Sequence, residues 1–252
     1  MPIRDFEHEV VHSAIKIHLM IKSNDQQFLS RGRSMSDEMR DSHKALADLW
    51  QGISLFSNIN NCVTVYGSAR FKEDHPYYQM ARSMGKALAE NGFTVMTGGG
   101  PGIMEAANRG AKEGGGVSLG CNIKLPFEQK PNRYVDAEAE FEFFFTRKVI
   151  LRKNSVAYVL MPGGFGTMDE IFEVLTLIQT GKLPPRPVLC MGTTYWQHMQ
   201  RFLRETMMAE GTIAPGDLDL AFLTDDPEEG VNYIRKKIST PVPDLEDTSD
   251  TN

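Results

Sequence analysis

Cysteine is scarce in this chain of 252 residues: Cys62, Cys121 and Cys190 are the whole set, with no C-x-x-C and no histidine at metal-ligand spacing. That excludes a disulfide framework and a zinc ribbon, and predicts three reduced, buried thiols and no bound metal. Charge of one sign is scarce too. The formal net charge is -6, and Asp244, Glu246, Asp247 and Asp250 alone supply four of those negative charges, leaving about -2 for the rest. Neither nucleic acid nor a membrane surface is an expected partner. No run approaches the ~18 apolar residues that mark a membrane span, and the opening "MPIRDFEHEV" has no apolar leader segment, so a cytoplasmic location is expected. Two nucleotide signatures are also missing. There is no G-x-x-x-x-G-K-[ST], and "GSARFKED" stands after the first strand where G-x-G-x-x-G would belong, which removes a P-loop NTPase and disfavours NAD.

What is present is a hydrophobic content of 41%, ample for a buried core, and two kinds of patterning. Residues 1–61 read as a helical extension. Val10, Val11, Ala14 and Ile15, then Leu46, Leu49, Trp50 and Ile53, form apolar stripes joined by the polar "SNDQQFLSRGRSMSDE". Both stripes need a surface to pack on, either the main domain or a partner subunit, so a homodimer or larger assembly is expected. From Cys62 short apolar runs alternate with helical stretches. The strands predicted are "CVTVYGSA", "FTVMTGGG", "GVSLGCNI", "FEFFF", "VAYVLMPGG", "RPVLCMG" and "LAFLTD"; helices are predicted over 77–91 and 103–113 and from Arg147, Thr167, Tyr195 and Pro227. Repeated βα units force parallel strands and right-handed crossovers, hence an α/β fold with a Rossmann-like doubly wound parallel sheet and helices on both faces over 62–239. Residues 240–252 read as a disordered acidic tail.

In such a sheet the ligand crevice lies beyond the carboxyl ends of the strands, where strand order reverses. Three glycine-rich loops fall there: Gly67-Ser68-Ala69-Arg70, Gly98-Gly99-Gly100-Pro101-Gly102 and Pro162-Gly163-Gly164-Phe165-Gly166-Thr167. The second has a structural reading, simple chain closure, beside a binding one. The third is dense enough in glycine to predict a phosphate held by backbone N–H groups at a helix start.

The acids behind that loop have two readings. Thr167-x-x-Glu170 matches a capping box, with Asp169 complementing the helix dipole, which needs no chemistry. Against this, Arg147 and Lys148 open an earlier helix, where cations oppose the dipole and ask for an anion, and a guanidinium grips phosphate or carboxylate in bidentate fashion. Arg152 and Lys153, at the end of the same helix, read as dipole complements on a solvated face.

"GGGPGIMEAANRGA", the "RK" at 147–148 and "PGGFGTMDEIFE" together resemble the Lonely Guy (LOG) family, whose members were often labelled lysine decarboxylases. The resemblance covers roughly Cys62 to Leu223. It implies a phosphoribohydrolase that cleaves the N-glycosidic bond of nucleoside 5'-monophosphates, with no cofactor. It carries catalytic roles to Arg147 and Glu170 and phosphate binding to Gly163, Gly164, Gly166 and Thr167. Gly67, Ser68, Gly99 and Gly100, with Lys148 and Glu173, complete the candidate substrate-binding set. The extension over 1–61 and the loop "LPFEQKPNRYVD" set the chain apart from the short plant-type members and beside the longer bacterial ones. The substrate expected is AMP or a related purine nucleotide, or a cytokinin riboside 5'-monophosphate. An oxocarbenium-like transition state at the ribose would be stabilised by Glu170, while Arg147 has three open roles: phosphate, Glu170 or the departing base. Two alternatives remain on sequence. One is a non-catalytic nucleotide or cofactor carrier of the same fold; the other, weaker, is a pyridoxal-phosphate decarboxylase using Lys148.

Overall fold

The computed structural model describes residues 23–125 and 131–239. The expected stripe at Val10–Ile15 and the acidic tail lie outside the described residues. Seven parallel strands form one sheet: β1 (Cys62–Tyr66), β2 (Thr94–Thr97), β3 (Ser118–Ile123), β4 (Ala137–Phe141), β5 (Ser155–Leu160), β6 (Val188–Cys190) and β7 (Ala221–Leu223). Their order is β4-β3-β2-β1-β5-β6-β7. The chain builds outward from β1 to one edge and returns to start the other half at β5, so order reverses between β1 and β5. This is the doubly wound arrangement that the alternation of elements predicts.

Eight helices flank the sheet among the described residues: α1 (Asn24–Phe28), α2 (Met35–Leu55), α3 (Pro76–Glu90), α4 (Ile103–Glu113), α5 (Phe144–Lys153), α6 (Phe165–Gln179), α7 (Thr193–Phe202) and α8 (Pro227–Ser239). A short π-helical turn (Leu203–Met208) and a 3-10 turn (Pro215–Leu220) follow α7. Side chains alternate along the strands and divide the core in two. Val63, Val65, Val95 and Val159 face Met84, Leu88, Ala107 and Ile234 of α3, α4 and α8. Cys62, Tyr66, Met96, Tyr158 and Leu160 face Ile150, Leu151, Ile171, Val174 and Trp196 of α5, α6 and α7. Glycine sets the closest helix contact: a Cβ at Gly85 would overlap the Ala107 carbonyl oxygen, and one at Gly110 the Arg82 carbonyl oxygen. α3 and α4 therefore pack backbone to backbone.

Several sequence expectations are corrected. The strand predicted at "FEFFF" is instead β4, ending at Phe141, and the helix predicted from Arg147 starts at Phe144. The alternation of buried Ala139 and Phe141 with exposed Glu138 and Glu140 suits an edge strand, while Phe143 turns inward at the helix start. On α2 the buried face is Asp41, Ala45, Asp48 and Gly52, whereas Leu46 and Trp50 of the predicted stripe are exposed. The polar joining segment contains a short helix, α1, closed by a capping box of Ser23 and Gln26. Arg152 is mostly buried rather than solvated, its guanidinium 2.6 Å from Glu173. Of the three free thiols, Cys62 and Cys121 are buried and Cys190 is partly so.

Candidate active site

The loops after β1, β2 and β5 meet at the switch point and enclose a cleft of about 730 Å³. Their own backbones stitch them together. Ser68 N–H donates to the Pro162 carbonyl at 3.1 Å, and Ile103 N–H donates to the Ser68 carbonyl at 2.9 Å. Gly67 and Ser68 line the cleft, as do Gly163, Gly164, Gly166, Thr167, Arg147 and Glu170. The loop after β5 runs directly into α6, whose N-cap is Gly164. No side chain caps this helix start and no acidic residue sits in its first turn, so its N–H groups and positive dipole end face the cleft.

The capping box expected at Thr167 and Glu170 is therefore not formed. α6 opens two residues earlier, at Phe165, which puts Thr167 inside the first turn, and its side chain occupies the space that a Cβ at Gly163 would need. Glu170 turns to Arg147 instead: Arg147 Nη1 donates to Glu170 Oε1 at 3.2 Å. Arg147 Nε donates to the Cys121 carbonyl at 2.7 Å, and Gly98 is bare where a Cβ would overlap Nη2. The guanidinium is thus held by the Cys121 carbonyl of β3, the bare Gly98 after β2 and the Glu170 carboxylate of α6. Burial raises the Glu170 carboxyl above its usual value, an effect that the Arg147 charge opposes. The Tyr66 hydroxyl is held well up by burial and then by the Glu170 charge.

Other candidates lie apart. Gly99 and Gly100 point their carbonyls at the buried Asn132 side chain, at 3.1 Å each, and Gly98 is the member of that loop that lines the cleft. Lys148 pairs with Asp169 at 2.9 Å and Glu173 at 2.7 Å on the outer side of α5 and α6. Several cleft residues were not among the candidates from the sequence. Arg70 and Met104 line the walls, and Tyr195 of α7 donates its hydroxyl to the Gly163 carbonyl at 2.6 Å, bracing the glycine loop. The topology held the signal for Tyr195, since the loop after β6 opens at the same sheet edge.

The model of the family described as possible lysine decarboxylase matches residues 104–234, more than half of the chain. The chain belongs to the LOG family. Among relatives of this LOG protein, a cytokinin riboside 5'-monophosphate phosphoribohydrolase of Rhodococcoides fascians is 28% identical over 69% of this chain and 88% of its own length. A probable enzyme of the same name from Oryza sativa subsp. japonica is 28% identical over 72% of this chain and 80% of its own. Among solved structures, the molybdenum cofactor binding protein of Rippkaea orientalis has a TM-score of 0.54 at 21% identity, covering 71% of this chain and 98% of that one. The molybdenum cofactor carrier protein of Chlamydomonas reinhardtii scores 0.52 at 23% identity over 71% and 98%. Both share the LOG protein's fold. Among the described residues no helix is long and apolar enough to cross a membrane.

Proposed function

We propose that this LOG protein hydrolyses the N-glycosidic bond of nucleoside 5'-monophosphates, AMP or a related purine nucleotide, with cytokinin riboside 5'-monophosphates in the same class. The observation that carries this reading is an uncapped helix start and a mostly buried Arg147–Glu170 pair in one cleft. The α6 amides hold the 5'-phosphate. Glu170 lies four residues beyond Gly166, about 6 Å along the helix axis, a span suited to the ribose. Water adds across the bond: its oxygen ends on ribose C1' and its proton on the departing base nitrogen. The ionised Glu170 carboxylate stabilises the oxocarbenium-like transition state and orients that water. Of the roles open to Arg147 on sequence, the contact to Glu170 supports orienting the carboxylate.

The carrier reading is second: of the two solved proteins that share the fold, one is named as a binding protein and the other as a carrier protein of the molybdenum cofactor. The charged pair in the cleft favours hydrolysis. A decarboxylase lysine must lose its proton to form a Schiff base. Burial works against the Lys148 ammonium, but the hydrogen bonds it donates to Glu173 and Asp169 prevail and raise its pKa, keeping it charged. We also propose a cytoplasmic homodimer or larger assembly. It is supported by an exposed apolar face on α2, at Met35, Met39, Leu46 and Trp50, and by Phe165, 96% exposed at the cleft rim.

The test is a screen of nucleoside monophosphates for free base. AMP should be cleaved far better than adenosine, and ribose 5-phosphate should inhibit competitively. Equal turnover of AMP and adenosine would remove the phosphate assignment, and absence of base release from every nucleotide would favour the carrier.

A further inference from the structure

The helix that carries Arg147 is poorly equipped to start itself. Its N-cap is Phe143, with no cap from its own side chain, and its first turn contains no acid. Helix-start N–H groups need acceptors, and a cation among them opposes the dipole. The acceptors arrive from the N-terminal extension. Asp48 of α2, only 5% exposed, receives on one oxygen the N–H of Glu142 at 2.8 Å, the N–H of Phe143 at 3.1 Å and the Thr146 hydroxyl at 2.9 Å. Asp25 of α1 receives the N–H of Phe144. One turn along α2 from Asp48, Gly52 admits α5 closely, for a Cβ there would lie 2.6 Å from Ile150 Cγ1. α2 is thus keyed to α5 at two points, one polar and one steric.

We propose that Asp48 is a positioning residue for the cleft: it fixes the start of α5 so that the Arg147 guanidinium stays between the Cys121 carbonyl and Glu170, making the N-terminal extension part of the working site. Asp48 does not line the cleft and acts through Arg147. Arg147 N–H makes the first bond of α5, to the Phe143 carbonyl at 3.2 Å, so losing the cap frays the turn that carries it. The effect is visible at Glu170. That carboxylate faces Arg147 and Lys148 from α5, Asp169 and Glu173 from α6, Tyr66 from β1 and Cys121 from β3. Among these Arg147 is the strongest influence favouring its charged form, against the larger effect of burial.

The claim about turnover rests on the hydrolase reading above; the claim about geometry does not. The experiment uses the full chain, measuring kcat and KM for AMP and, in 13C-labelled protein, the titration midpoint of the Glu170 carboxyl. Asp48→Ala should lower kcat about 10- to 100-fold, the scale for a catalytic group misplaced by an ångström. KM should change less than about threefold, because the phosphate loop belongs to α6. The Glu170 midpoint should rise, in the direction set by Arg147→Lys as a control. Asp48→Asn keeps an acceptor oxygen and should restore both readouts, with kcat within about threefold of the unaltered protein. Should Asp48→Ala fail to fold, Thr146→Val removes one of the three donors and should raise the midpoint by a smaller amount. A lowered Tm with kcat and midpoint unchanged, in either variant, would overturn the proposal and leave Asp48 a purely structural cap. If the unaltered protein frees no base from any nucleotide, the hydrolase reading falls while the titration still decides the role of Asp48.

Discussion

Glu170 is held under opposing demands. Its side chain is 12% exposed, burial raises its pKa, and Arg147 at 3.2 Å draws it back down. A carboxyl whose folded pKa is raised adds most to stability below its unfolded pKa, and that contribution is lost as pH rises through the folded value. At neutral pH the ionised form is therefore retained at a cost. Glu170→Gln keeps an acceptor for Arg147 Nη1 and removes the charge. It should lower kcat by ~10²-fold or more, the scale of a positioned acid or base. Its Tm at neutral pH should equal or exceed that of the unaltered protein, and the difference should narrow as pH falls through the raised pKa, which thermal melts across the acid range would check. At this scale the sequence identified both members of the pair. It left the partner of Glu170 open, because Thr167-x-x-Glu170 has capping-box spacing, while Arg147 lies 23 residues upstream and meets Glu170 only through the fold.

Among the elements, the α3–α4 contact depends most on a missing side chain. Gly110→Ala would press a methyl onto the Arg82 carbonyl oxygen, a backbone atom that cannot rotate away. The expected loss is roughly 1–3 kcal/mol or more, read as a lower denaturant midpoint with unchanged slope. Turnover per folded molecule should be unaffected, since this contact lies outside the cleft. α4 was legible from end to end, from Ile103 to Glu113, because glycines bracket it at Gly102 and Gly114. β4 was not, because the apolar "FEFFF" outweighs the alternating "AEAEF" that forms the strand. α2 misled for a different reason. Burying Asp41 and Asp48 looks unfavourable from composition, yet Arg33 and Lys44 pair with Asp41, and the start of α5 supplies donors to Asp48.

At the scale of the whole molecule the alternation of elements was enough to give the sheet, its switch point and the three loops that meet there, after β1, β2 and β5. How copies associate depends on surfaces rather than on alternation. The exposed face of α2 offers a specific test: Trp50, 68% exposed, is replaced by lysine and sedimentation velocity is measured. Trp50→Lys should shift a dimer or larger species toward monomer, and an unchanged species would remove this face from the interface.

Two cysteines buried in the core, with a third partly buried beside it, give the molecule a built-in chemical clock. Burial pushes the Cys121 and Cys190 thiols up to about 12, and pushes Cys62 up as well, so thiolate is rare in the native state at ordinary pH. A disulfide reagent such as dithionitrobenzoate should then modify Cys62 and Cys121 only as fast as the protein opens. Cys62 times β1 at the centre of the sheet, and the partly buried Cys190 on β6 is the faster reference. Cys121 times the strand whose carbonyl anchors Arg147, and ribose 5-phosphate, by binding in the cleft, should slow its modification more than that of Cys190.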